Sequence, residues 1–165
     1  MSPAVDLGDL DRFTVGAVGP PGRRVFLLQC HSASTVLTLK VEKQQVAVLA
    51  EYLGRLIPTL DRPGTLPRDL DLEGSSEPDW VIGTLGVSYE EVIDRIVIVA
   101  EEMVGEDEEG ESARFAVTRE QAAAFAIRAT TLVASGRPSC PLCGFPLDPS
   151  GHACPRTNGH RPPVS

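Results

Sequence analysis

The feature that most restricts the fold is an internal echo, in which the order strand, strand, strand, helix is written twice along the chain. Val15-Gly16-Ala17-Val18-Gly19 aligns with Ile82-Gly83-Thr84-Leu85-Gly86, and Val25-Phe26-Leu27-Leu28 aligns with Ile96-Val97-Ile98-Val99. Val41-Glu42-Lys43-Gln44-Gln45 then falls on Val117-Thr118-Arg119-Glu120-Gln121. The offset grows from 67 to 76 residues between the first match and the last, and the acidic stretch from Glu101 to Glu111 can absorb the difference as a solvated hairpin loop. A repeat fixes architecture early, because both copies must bury equivalent apolar faces.

Local patterning fills in the copies. Phe13, Val15 and Ala17 alternate with Thr14, Gly16 and Val18 before a Gly19-Pro20-Pro21-Gly22 turn, Arg24 to Cys30 is almost continuously apolar, and Ser34 to Val41 alternates again. These are strand signatures. At Glu42 the period changes to that of a helix, with Val46, Leu49, Ala50, Leu53 and Ile57 on one stripe and Pro58 ending it. Residues 61–79, rich in Pro, Gly, Ser and acids, read as a long hinge or cover loop. The second copy runs through strands from Trp80 to Gly86, Ile93 to Ala100 and Ser112 to Val117. A helix follows, opened by Thr118 and Gln121 in a capping-box spacing, with Ala122, Phe125, Ala126, Ala129, Leu132 and Val133 as its buried stripe.

The fold class that follows is α+β: internally duplicated βββα units in a pseudo-twofold arrangement, with two main helices. The strands are expected to form one six-stranded antiparallel sheet or two packed sheets. Residues 1–138 form this duplicated domain, with repeat one at about 12–60 and repeat two at about 80–136, and 139–165 form a separate tail. The glycines of the repeated V-G-x-x-G serve as backbone devices, since no helix opens at the second glycine and no Lys-Ser/Thr follows.

The tail carries the chemistry. Between Ser139 and His160 lie three of the four cysteines and two of the three histidines. Cys140-Pro141-Leu142-Cys143-Gly144 is a zinc knuckle, its spacing letting two thiolates face one ion while Gly144 permits the turn. Cys154 is the third ligand. His152 is the preferred fourth, since residues two apart on an extended strand project to one side. His160 is the alternative fourth ligand, brought back by the Asn158-Gly159 turn, and Asp148 is a weaker oxygen donor. A redox pair would open a helix after a strand, whereas this C-x2-C follows the helix stop at Gly136 and Pro138. Four protein ligands make a closed, structural site rather than one holding a reactive water.

Charge narrows the partners. A net charge of -8 on 165 residues repels phosphate backbones and anionic membranes, which sets Arg137, Arg156, His160 and Arg161 against an acidic body as a nucleic-acid surface. The N-terminus lacks a basic and then apolar leader, and no 18-residue apolar run occurs, so a soluble, cytoplasmic protein with no membrane contact is expected. Catalytic constellations are thin. Cys30 and His31 are strand neighbours that point to opposite faces, the first into the core and the second to the surface. Glu90, Glu91, Asp94 and Arg95 read as a surface ion-pair group. The favoured function is therefore a protein-interaction or adaptor module with a structural zinc and a protein partner, with no catalytic or cofactor-binding residue beyond the metal ligands. The alternative is a hydrolase of phosphate esters or nucleotides with a cleft between the repeats.

The segments R-F-x-V-G-x-V-G-x-P-G, V-E-K-Q-Q-V-A and G-R-P-x-C-P-L-C-G-x-P-L-D-P-x-G-H-x-C-P-R-x-N-G resemble an actinobacterial family of conserved hypothetical proteins that carries only a domain-of-unknown-function label. The similarity covers nearly the whole chain. It implies a bacterial, cytoplasmic protein. The family pattern allows tyrosine at the position of His160, which by resemblance supports Cys140, Cys143, His152 and Cys154 as the ligand set.

Overall fold

Alternating β-branched and apolar runs become strands and the two 3.6-residue stripes become helices. The computed structural model describes residues 4–20, 22–74 and 77–135. Its strands are β1 (Ala4–Asp9), β2 (Arg12–Val18), β3 (Val25–Ser32), β4 (Thr35–Val41), β5 (Trp80–Glu90), β6 (Arg95–Glu102) and β7 (Ser112–Val117). The helices are α1 (Lys43–Leu56), continued by a 3-10 turn at Ile57–Thr59, and α2 (Arg119–Ser135). The two helices pack against each other. Among the described residues no helix is long and apolar enough to cross a membrane.

The described strands form one seven-stranded mixed sheet in the order β1-β7-β6-β5-β4-β3-β2. This corrects the expected antiparallel arrangement and the alternative of two packed sheets. β4 and β5 run parallel, as do β1 and β7, while the other neighbours are antiparallel. A parallel neighbour requires a crossover, and α1 with the following loop supplies it between β4 and β5.

The sheet also closes. β1 and β2 stand at opposite ends of the strand order, yet only Leu10 and Asp11 separate them. The Leu10 N–H donates to the Ala116 carbonyl of β7 at 2.9 Å, and the Asp11 N–H donates to the His31 carbonyl of β3 at 2.8 Å. One extended run is thus bonded to β7 along its first part and to β3 along its second, and the sheet curls to permit it. β5 behaves alike, pairing with β4 through Trp80 and Val81 and with β6 over the rest of its length. β2, β3 and β4 thereby have the same neighbours and directions as β5, β6 and β7.

One core fills the interior, drawing on β2 (Phe13, Val15), β3 (Phe26, Leu28), β6 (Ile96, Ile98), β7 (Phe115, Val117) and both helices. The Phe13 ring stacks on Phe125 of α2 with centroids 4.2 Å apart and tilts against Phe115 at 5.4 Å. The α1 stripe buries Val46, Leu49, Ala50 and Leu53, while Ile57, at the turn, is half-buried.

Both helices open on the same device. The Glu42 N–H donates to Gln45 Oε1 and the Thr118 N–H to Gln121 Oε1, each at 2.9 Å. The same two glutamines donate from Nε2 to the extended chain beside them, Gln45 to the Gly83 carbonyl of β5 at 3.1 Å and Gln121 to the Leu10 carbonyl between β1 and β2 at 2.7 Å. A cap and a sheet-closing bond are therefore lost together in Gln121→Ala. That variant is expected to be less stable by about 1–2 kcal/mol in urea unfolding, the combined scale of a capping interaction and a part-buried hydrogen bond. A change under about 0.3 kcal/mol would contradict this role.

Of the repeated glycines, Gly83 has a steric reason to lack a side chain. A Cβ there would lie 2.9 Å from the Cα of Met103, whose N–H reaches past it to the Val81 carbonyl at 2.8 Å. Gly86, by contrast, faces open space.

Candidate functional site

On the face of β2, β3 and β4 turned away from the core, each strand places one buried polar residue between apolar neighbours. Thr14, Gln29 and Thr38 are all buried, and hydroxyl and amide groups so placed need partners. The cover is the stretch 69–73 of the expected loop. Thr14 Oγ1 donates to the Leu70 carbonyl, Arg12 Nη2 donates to the carbonyls of Asp69 and Asp71, and the Leu70 side chain is itself buried. Leu72 occupies the space above Gly16, where a Cβ would approach its Cγ to 2.5 Å. The expected cover role of this loop is thus realised.

Gln29 is the centre of the arrangement. Its Nε2 donates to the Glu73 carbonyl at 2.7 Å and to Thr38 Oγ1 at 3.2 Å, and its Oε1 accepts the Glu73 N–H at 2.9 Å. The side-chain amide thereby pairs with the loop backbone as a strand would. His31 Nε2 lies 3.0 Å from the same Oε1 and 3.5 Å from Arg12 Nη1, and its Nδ1 lies 4.0 Å from Glu73 Oε2. His31 therefore lies half-buried beneath the loop, which corrects its expected surface position. At the far end, the Asp79 N–H donates to the Thr38 carbonyl at 2.7 Å and Asp79 Oδ2 accepts the Thr38 N–H at 2.9 Å.

Beside the loop runs an open, mainly apolar groove of about 400 Å³ between the segment 66–70 and the outer side of α2. Leu66, Pro67, Leu70, Ala124, Ile127 and Thr131 line it. Arg128 stands at its border, its Nε donating to the Val15 carbonyl at 2.6 Å and its Nη2 lying 3.4 Å from Asp71.

A second charged group lies at the β5–β6 turn. Asp94 accepts from Tyr89 Oη at 2.7 Å and pairs with Arg119 at 3.0 Å, and Arg95 pairs with Asp9 of β1 at 3.2 Å. Of the group expected around Glu90, Glu91, Asp94 and Arg95, the last two thus draw partners from β1, β5 and α2. The Tyr89 hydrogen bond, followed by the Arg119 charge, holds the Asp94 carboxyl below its ordinary range. The same hydrogen bond raises the Tyr89 phenol. A lowered carboxyl favours the fold above its ordinary range and ceases to do so as pH falls through its folded midpoint. Tyr89→Phe is expected to move the Asp94 midpoint upward in a carboxyl ¹³C NMR titration, and an unmoved midpoint would remove the hydrogen bond as cause.

Cys30 is fully buried on the core side, as its strand position predicts, and burial pushes its thiol far above the usual range. It cannot supply a thiolate near neutral pH. Among the described residues no group of three or more His, Cys, Asp or Glu is placed to hold a metal ion. Cys140, Cys143, His152 and Cys154, with His160 as the alternative, lie outside the described residues. Sequence reasoning missed the covered polar face, for which the signal was Gln29 inside the otherwise apolar Val25-Phe26-Leu27-Leu28-Gln29-Cys30.

The molecule is an α+β protein whose mixed sheet carries a strapped polar face and an adjoining apolar groove. The chain belongs to the family described as protein of unknown function (DUF3090), whose model matches residues 6–154. Comparison with curated proteins gave no match, and neither did comparison with solved structures.

Proposed function

We propose that the protein is a non-enzymatic interaction module of the bacterial cytoplasm, a duplicated βββα body with a C-terminal segment that binds one structural zinc ion through Cys140, Cys143, His152 and Cys154. The observation that carries the zinc reading is the spacing C-x2-C-x8-H-x-C, which offers three thiolates and an imidazole, the donor set of closed tetrahedral zinc. The family match supports it, since the matched span ends at Cys154, takes in all four donors and stops before His160. The metal would supply the cross-links that a short Pro- and Gly-rich run cannot draw from a core of its own.

Duplication is supported by the equal strand neighbours of the two units and by the twin roles of Gln45 and Gln121. A binding role is favoured over catalysis by the contents of the places where chemistry would sit. The β4–β5 junction, where the alternative hydrolase would need a cleft between the repeats, is bridged by the Asp79 and Thr38 hydrogen bonds. The covered face spends its polar groups on the loop, and the groove is apolar.

Native mass spectrometry is expected to find one zinc per chain. Cys140→Ser and His152→Ala lose it, and His160→Ala retains it. Full occupancy in Cys140→Ser would sink the ligand set, and turnover of a phosphate ester or nucleotide by the purified zinc-loaded chain would replace the module with a hydrolase.

A further inference from the structure

The groove between the 66–70 segment and α2 is open and apolar, and residues 136–165 follow directly on α2. Ile127, on its wall, is 60% exposed, although its neighbours Leu70 and Ala124 are buried. An exposed isoleucine beside an apolar recess is the pattern of a surface awaiting cover. α2 forms one wall and ends at Ser135, eight residues beyond Ile127, a rise of roughly 12 Å along the helix. The described helix therefore ends within about 12 Å of Ile127 along its axis, and 30 residues follow it in the sequence.

Those residues carry a matching side-chain set. Phe145 is their one aromatic residue, and with Leu147 it flanks Pro146 directly after the Cys143-Gly144 turn. Ten residues of extended chain reach about 33 Å, so Phe145 can return from Ser135 to Ile127 with length to spare. Charge points the same way. Three of the 15 Lys and Arg residues, but only one of the 23 Asp and Glu residues, lie after Ser135, so a basic segment is tethered to an acidic body. Asp69 and Asp71 are exposed on the loop that walls the groove.

We propose that Phe145 and Leu147 of this same chain dock in the groove formed by Leu66, Leu70, Ala124, Ile127 and Thr131, so that the C-terminal segment covers the loop and α2 together. The inference rests on the zinc reading only in leaving Phe145 and Leu147 outside the metal's ligand set. Its consequence is that the loop, the C-terminal half of α2 and the zinc segment form one composite face.

A photo-crosslinking amino acid at Ile127 of the full, zinc-loaded chain tests this, because that exposed position tolerates a new side chain. The expected product is an intrachain adduct that maps by mass spectrometry to residues 142–147, with yield falling at least fivefold in the Phe145→Ser/Leu147→Ser variant. Native mass spectrometry of the same samples reads zinc independently. One zinc per chain with adducts elsewhere overturns docking and leaves the zinc reading standing. Adducts at 142–147 on a chain without zinc support docking and overturn the metal. A covalent dimer would assign the groove to a second copy and sink the proposal, as would a yield unchanged in the double variant.

Discussion

Phe13→Ala is expected to lower the free energy of unfolding by about 3–5 kcal/mol, the range for deleting a fully buried aromatic ring. Phe13 is 1% exposed and stands where three elements meet. It belongs to β2 at one end of the strand order, stacks on Phe125 of α2 and touches Phe115 of β7, next to the other end. Its ring is therefore part of what holds the closed sheet shut. Strands fixed by ladders on their other sides cannot collapse fully into the space it leaves, so a cavity cost adds to the lost transfer energy. Val48→Ala, on the exposed side of α1, provides the control and is expected to stay within about 0.5 kcal/mol of the parent. Urea unfolding with an unchanged m-value reads both. A Phe13→Ala cost below about 1 kcal/mol would mean that closure depends on the backbone ladders and the glutamine bonds rather than on this cluster.

What was legible in the sequence was what depends on local period. β2 to β7 announce themselves by alternation or apolar runs, α1 and α2 by their stripes, and the start of α2 by a glutamine three residues after the cap, whereas the matching role of Gln45 emerges from the structure. β1 was not legible. Val5 and Leu7 are interrupted by Asp6, Gly8 and Asp9, and the strand is fixed by parallel pairing to β7 more than 100 residues away. Nothing local encodes such a contact. The β4–β5 pairing is equally hidden, since only Leu39↔Trp80 and Lys40↔Val81 make it. For the polar face, Thr14, Gln29 and Thr38 in apolar surroundings announce a polar partner without saying which segment provides it. Leu70 and Leu72 decide that, as apolar residues in a loop otherwise rich in acids. The cysteine and histidine spacing of the tail is legible as chemistry at the level of donors, which is where its proposal stands.

Gln29→Leu is expected to release the loop before it unfolds the body. Gln29 is 1% exposed, and the leucine keeps its approximate volume while deleting both bonds to the Glu73 backbone and the one to Thr38. A buried group left without its partner costs about 1–3 kcal/mol. Two such groups would exceed that if Glu73 stayed in place, but its side chain is 63% exposed and its backbone can move into water. The cheaper outcome is detachment, so the global loss is held to about 1–3 kcal/mol while the loop opens locally. The discriminating observable is the Glu73 amide, whose hydrogen-bond acceptor is the Gln29 side chain rather than a strand or helix carbonyl. In hydrogen exchange its protection should fall at least tenfold in Gln29→Leu, equivalent to about 1.4 kcal/mol, and should fall further than that of the β6 amides, which follow the global change alone. Thr14→Val removes the neighbouring tie to the Leu70 carbonyl, so the two substitutions should couple by about 0.5 kcal/mol or more if the loop lifts as one unit. Strict additivity, or a Glu73 amide still protected in Gln29→Leu, would show that Leu70 and Leu72 hold the loop by apolar contact and that the polar face serves some other end.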